Sequence, residues 1–138
     1  MRLLRYVPFL IFPVIIYAFL ALTWGPKAGA DFAAQAFAIP MASGDVFSMS
    51  VGSLFIAFAI LCLFAEVVRS ARPTNAAIGE NMSTALLLVV CLVLFLMVRG
   101  FGTSEFFLVT LLLLVDFMTD AAVMVFTARR TIDTSSGN

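Results

Sequence analysis

The chain has 138 residues, 63% hydrophobic and 12% charged, with eight basic residues balanced by eight acidic ones. Soluble domains are closer to half apolar and a quarter charged, so this composition excludes an ordinary water-soluble domain, and the zero net charge offers no bulk attraction to nucleic acid. Histidine is absent, which removes His-ligated haem and the common zinc sites, and Cys62 and Cys91 stand singly in apolar runs rather than as a paired thiol centre.

A membrane-spanning helix needs ~20 apolar residues. Four stretches qualify, at about 6–24, 46–68, 82–98 and 106–126. The fold expected is therefore an all-α membrane protein, a bundle of four antiparallel transmembrane helices with a short outer interfacial segment after the first. One domain covers 1–130, and the polar tail 131–138 is expected to be disordered.

The first span lies in "MRLLRYVPFLIFPVIIYAFLALTW". Pro8 is tolerated near a helix start, whereas Pro13 should kink the helix. The basic start and the small-x-small triplet Ala28-Gly29-Ala30 also fit a cleaved secretory signal. The long apolar run and Trp24, placed as an interfacial anchor, favour a retained helix. The connection "GADFAAQAFAIP" (29–40) reads either as a short helix laying Phe32, Phe37 and Ile39 on the membrane surface, or as an irregular loop. Asp45 fits as N-cap of the second span.

In the second span Ser48 with Gly52, and Ser53 with Ala57, form small-residue pairs that allow close helix approach. Pro73 ends that helix, and Thr74 or Asn75 can cap the third. "RGFGTSE" (99–105) is a tight turn in which Thr103 or Ser104 can cap the fourth. Arg2, Arg5, Arg69, Arg72, Arg129 and Arg130 then fall on one side of the membrane, and only Lys27 and Arg99 on the other. The excess of basic residues marks the cytoplasmic side, so both termini are expected there. Seven Arg against one Lys, with abundant Ala, suit a GC-rich bacterial genome, hence a bacterial inner (plasma) membrane.

The fourth span carries Asp116 and Asp120 in "LLLLVDFMTDAAVMVF". Asp116 lies ~15 Å from either face at 1.5 Å rise per residue, and Asp120 ~9 Å from the cytoplasmic edge. An Asp at the bilayer centre costs about 2.5 to 3.5 kcal/mol, so such residues face protein or water, not lipid. The i, i+4 spacing puts both acids on one helix face, flanked by Thr119. Two carboxylates one turn apart in low dielectric do not both ionise easily, and Asp116, the deeper, is expected to hold its proton at neutral pH. Arg69, with Glu66 one turn before it, is the expected ion-pair partner of Asp120 near the inner face. Arg99 and Glu105 are expected to pair across the outer turn.

The chain offers no serine motif, no phosphate-binding glycine loop and no acid–base pair in a loop, so catalysis and cofactors are not expected. The functional expectation is a small accessory or subunit protein that binds lipids and other membrane proteins or copies of itself. It would use the fourth helix and the outer loop. The alternative is a proton-coupled transporter or ion channel built on Asp116 and Asp120.

Overall fold

The computed structural model describes residues 7–70 and 77–135. Helix α1 (Ile11–Trp24) passes through a 3-10 turn (Gly25–Lys27) into a short α2 (Ala28–Ala33). Strands β1 (Gln35–Pro40) and β2 (Val46–Ser50) follow, then α3 (Val51–Ser70), α4 (Ala77–Met97) and α5 (Ser104–Ser135).

Four long helices form the body, and their contacts set their directions. Phe9, just before α1, meets Glu66 near the end of α3, while Tyr17 meets Phe55 near its start, so α1 and α3 are antiparallel. Asn81 meets Met124 and Phe95 meets Phe107, which makes α4 antiparallel to α5. Gly52 lies against Glu105, so α3 and α5 run parallel from a shared starting level. Helix α5 packs on α1, α3 and α4 and is the central element.

The burial pattern is inverted relative to a water-soluble bundle. Phe12, Ile15, Phe19 and Leu22 on α1, Leu54, Phe58, Leu61 and Phe64 on α3, and Leu111, Leu114 and Met118 on α5 are exposed. Glu66, Thr84, Thr110, Asp116 and Asp120 are buried. Helices apolar on their outward faces need a lipid solvent. Three stretches, Ile11–Ala33, Val51–Arg69 and Ser104–Phe126, are long and apolar enough to cross a membrane, and Asn81–Met97 is a shorter apolar helix. By length and composition this is a membrane protein.

Several local expectations are corrected. The segment after α1 is neither wholly helical nor irregular: it continues into a β-hairpin, so the fold is not purely α-helical. In the hairpin Phe37 pairs with Met49, Ala38 with Ser48, Ile39 with Phe47 and Pro40 with Val46. Large apolar residues alternate with small ones in Phe37-Ala38-Ile39 and Phe47-Ser48-Met49, around an Ala-Ser-Gly-Asp turn, and this is the period of two that a strand needs. Asp45 closes this turn, where its carbonyl accepts from the Met41 N–H at 2.8 Å, and does not cap α3. Ser50 caps α3 instead, accepting from the Ser53 N–H at 3.1 Å. Pro13 falls in the first turn of α1, because that helix starts at Ile11 rather than near residue 6, and there a proline breaks no intrahelical bond. Helix α5 continues to Ser135 through the start of the tail expected to be disordered. Arg2, Arg5, Arg72, Pro73, Thr74 and Asn75 lie outside the described residues.

At the hairpin end of the bundle, Gly100 terminates the α4–α5 turn with φ +91°, and a Cβ there would lie 3.4 Å from the Gly25 carbonyl oxygen. Left-handed backbone and a facing main-chain atom both select glycine. Gly100→Ala is expected to cost about 1 to 3 kcal/mol. Thermal unfolding in detergent checks this, with Gly102→Ala as control, since Gly102 has open space around it.

Candidate functional site

The buried stripe of α5 reads Phe106, Val109, Thr110, Leu113, Asp116 and Asp120. These recur every three or four residues, so both aspartates lie on the face that turns into the bundle. On α3 the matching stripe is Gly52, Phe55, Ala59 and Glu66. Carrying the Gly52–Glu105 register down these parallel helices brings Glu66 level with residues 116–120. Thr84 on α4 is buried in the same half of the bundle.

The interior is thus divided by chemistry. Toward the hairpin end it is aromatic. Tyr17 is fully buried and stacks on Phe32, with ring centroids 5.1 Å apart and planes 7° apart. It also meets Phe55, Phe101 and Phe106 at 5.9, 5.5 and 4.7 Å. Its hydroxyl donates to the Gly100 carbonyl at 2.9 Å and shares a hydrogen bond with Thr103 Oγ1 at 2.5 Å. Toward the other end the interior is acidic, with Glu66, Asp116 and Asp120 each less than a tenth exposed.

The acids differ in how they are compensated. Glu66 forms an ion pair with Arg69 Nη2 and accepts the Phe9 N–H. The backbone N–H of Leu10 bonds it too. Phe9 and Leu10 lie just before and at the N-terminus of α1, where helix N–H groups lack partners of their own, so a side chain of α3 caps α1. Arg69 also donates to the Val7 carbonyl at 3.1 Å and lies 4.7 Å over the Phe9 ring. The residues before α1 are in this way tied to the end of α3.

Asp116 has no such compensation. It is fully enclosed, and neither carboxyl oxygen has a hydrogen-bond partner. Glu66, Asp120 and Arg69 all act on it electrostatically. Two further polar atoms on neighbouring elements, Arg69 Nε and Asn81 Oδ1, are also buried without partners. Orphaned polar groups of this kind call for a proton, a water or an ion.

The remaining expected site residues are placed differently. Thr119 is not on the stripe of the two aspartates; its hydroxyl donates to its own helix at the Val115 carbonyl, 2.8 Å away. Arg99 is exposed and does not pair with Glu105. Glu105 instead accepts from Ser104 Oγ at 3.2 Å and covers Gly52, where a Cβ would come within 2.7 Å of Oε1. Thr103 caps α5, accepting from the Phe106 N–H at 3.3 Å. Arg69 pairs with Glu66, one turn before it on α3. Among the described residues no three His, Cys, Asp or Glu side chains form a metal-ligating group. The outer loop was an expected functional element but not as a hairpin, and the Tyr17 cluster was not expected. The hairpin had a readable signal in its alternation, whereas the cluster draws on residues from five separate segments and had none.

Comparison of the chain with protein-family models, curated proteins and solved structures gives no match.

Proposed function

We propose that this chain is a small non-enzymatic accessory subunit of a bacterial inner membrane, with four antiparallel transmembrane helices and both termini in the cytoplasm. Its outer hairpin docks on an extended segment of another membrane protein. The hairpin carries the reading. Every residue from Gln35 to Ser48 is exposed, and one face presents Phe37, Ile39, Phe47 and Met49.

Physical chemistry narrows what covers it. An isolated two-stranded hairpin is marginal in water, and an exposed apolar face adds to the cost. Sinking it into lipid removes that cost but strands the unpaired N–H and C=O groups along both outer edges. A partner strand added at one edge satisfies the backbone and covers the side chains together. Asp45 is the one charged residue in 35–50, so charge attraction contributes little.

The orientation rests on basic residues. Arg69 near the end of α3, and Arg129 and Arg130 late in α5, belong to the end opposite the hairpin, whereas Lys27 and Arg99 flank the hairpin end. Through-transport draws less support, because among the described residues no buried carboxyl lies between Asp116 and the hairpin end, the hydroxyls of Thr110 and Tyr17 are already bonded, and rings fill the interior around Tyr17.

The test is native mass spectrometry of the protein extracted in native lipid discs. The expected result is a fixed-ratio assembly with a second membrane protein. The double variant Ile39→Ser, Phe47→Ser loses it, and the lipid-facing variant Phe58→Leu retains it. A monomer, a homo-oligomer, or an assembly indifferent to the hairpin variant overturns the reading.

A further inference from the structure

We propose that Asp116 is a proton-exchange site served only from the end of the bundle that carries the termini, with Asp120 as the group through which the proton passes. The inference is independent of the hairpin's docking role. It rests on three observations about the interior.

First, Asp116 is fully buried on the inward face of α5 and both its oxygens lack partners. A carboxylate that served only to hold helices together would be hydrogen-bonded across the interface. Second, the other acid that faces it from a neighbouring helix is already committed. Glu66 on α3 holds Arg69 and caps α1, so its carboxyl oxygens are already engaged. Arg69 is hydrogen-bonded to Glu66 and acts on Asp116 only through space, with no hydrogen bond to either Asp116 oxygen. Among the described residues, the buried polar groups that α4 brings to this half of the bundle are Asn81 and Thr84, with the Cys91 thiol further along the same helix, and the buried residues at the start of α1 are apolar. Third, among the described residues, buried carboxyl groups continue from Asp116 in one direction only. Asp120 is one turn further along the same stripe, followed by the Asn81 level of α4. In the other direction the stripe reads Leu113, Thr110, Val109 and Phe106, where the Thr110 hydroxyl donates to the Phe106 carbonyl of its own helix at 2.9 Å, and it is closed by Tyr17 and its ring partners.

The step is a simple transfer. A proton from the cytoplasmic water binds an Asp120 oxygen. The O–H bond then breaks there and forms on an Asp116 oxygen, and Asp120 returns to its starting state. The reverse path releases the proton to the same side. Buried water at the orphaned Arg69 Nε and Asn81 Oδ1 positions supplies the remaining hydrogen bonds. A site open at one end binds and returns a proton without conducting it, which suits sensing of cytoplasmic pH by the bundle.

Infrared difference spectroscopy of the full-length protein in lipid discs tests this. A protonated carboxylic acid has a carbonyl stretch separate from that of a carboxylate, and the band shifts in deuterium oxide. The expected result is a band that titrates with pH, exchanges with deuterium, and is lost in Asp116→Asn. Asp120→Asn is expected to keep the band and slow its exchange, while the exposed variant Arg99→Gln changes neither. If Asp116→Asn fails to fold, Asp116→Glu keeps the carboxyl and must shift the band. A spectrum unchanged by both Asp116 variants, or a band that neither titrates nor exchanges, overturns the site. Exchange that Asp120→Asn does not slow overturns the route.

Discussion

Arg69→Met is expected to lower the unfolding free energy by about 3 kcal/mol, the low end of what breaking a buried ion pair costs. The low end applies because the Arg69 side chain is a quarter exposed while Glu66 is 4% exposed. The loss comes chiefly from Glu66, left as a buried anion with only the α1 N–H groups to hold it. Methionine keeps the apolar stem but forfeits the bond to the Val7 carbonyl and the cation over the Phe9 ring. The double variant Glu66→Gln, Arg69→Met should recover most of the loss, since a neutral amide still accepts the α1 N–H groups. Denaturant unfolding of the four proteins of this cycle in detergent measures it. A single-variant loss under about 1 kcal/mol, the size of a solvated surface pair, would show that water already compensates Glu66.

Tyr17→Ala is expected to be the most damaging single change at the hairpin end, costing about 4 kcal/mol. The side chain is fully buried and touches four aromatic rings from four other segments, so truncation leaves a cavity that no single element can collapse into. Tyr17→Phe separates the contributions. It keeps the ring and removes the hydroxyl that bonds the Gly100 carbonyl and Thr103. Polar contacts between membrane helices average about 0.6 kcal/mol, so this variant should lose about 1 kcal/mol. Thermal unfolding of both variants decides between packing and hydrogen bonding as the source. A larger loss for Phe than for Ala would reverse the assignment. The same layer seals Asp116 from the hairpin end, so its integrity bears on the direction of proton access as well as on stability.

The two aspartates show how far local reading reaches. Their i, i+4 spacing and the cost of a charge in lipid were enough to place both on one face and to turn that face away from lipid. That face is the buried stripe of α5. Spacing cannot say whether a buried acid finds a partner, and here the answers diverge. Glu66 is compensated by a helix N-terminus 57 residues away, whereas neither oxygen of Asp116 has a hydrogen-bond partner. Thr119 is a similar case. It sits beside the aspartates in sequence, but its short hydroxyl reaches the backbone of its own previous turn more readily than a neighbouring helix. Arg99 and Glu105 lie six residues apart across a turn. The turn geometry set by Gly100 leaves Arg99 exposed and directs Glu105 onto Gly52 of α3.

What the sequence by itself determined is everything governed by local periodicity and by the free energy of transfer into lipid. The apolar stretches, their order, the end that gathers the arginines and the inward turn of Asp116 and Asp120 all follow from residues within a few turns of one another. Tertiary structure alone decided which distant groups meet. It paired β1 with β2, which a helix-period reading of an alanine-rich loop conceals, and it gathered Tyr17 and its rings from five segments. It also placed Glu66 at the start of α1. The reason is physical: hydropathy is a property of a residue and its solvent, whereas satisfaction of a buried polar group depends on which atoms a fold brings within about 3 Å of it.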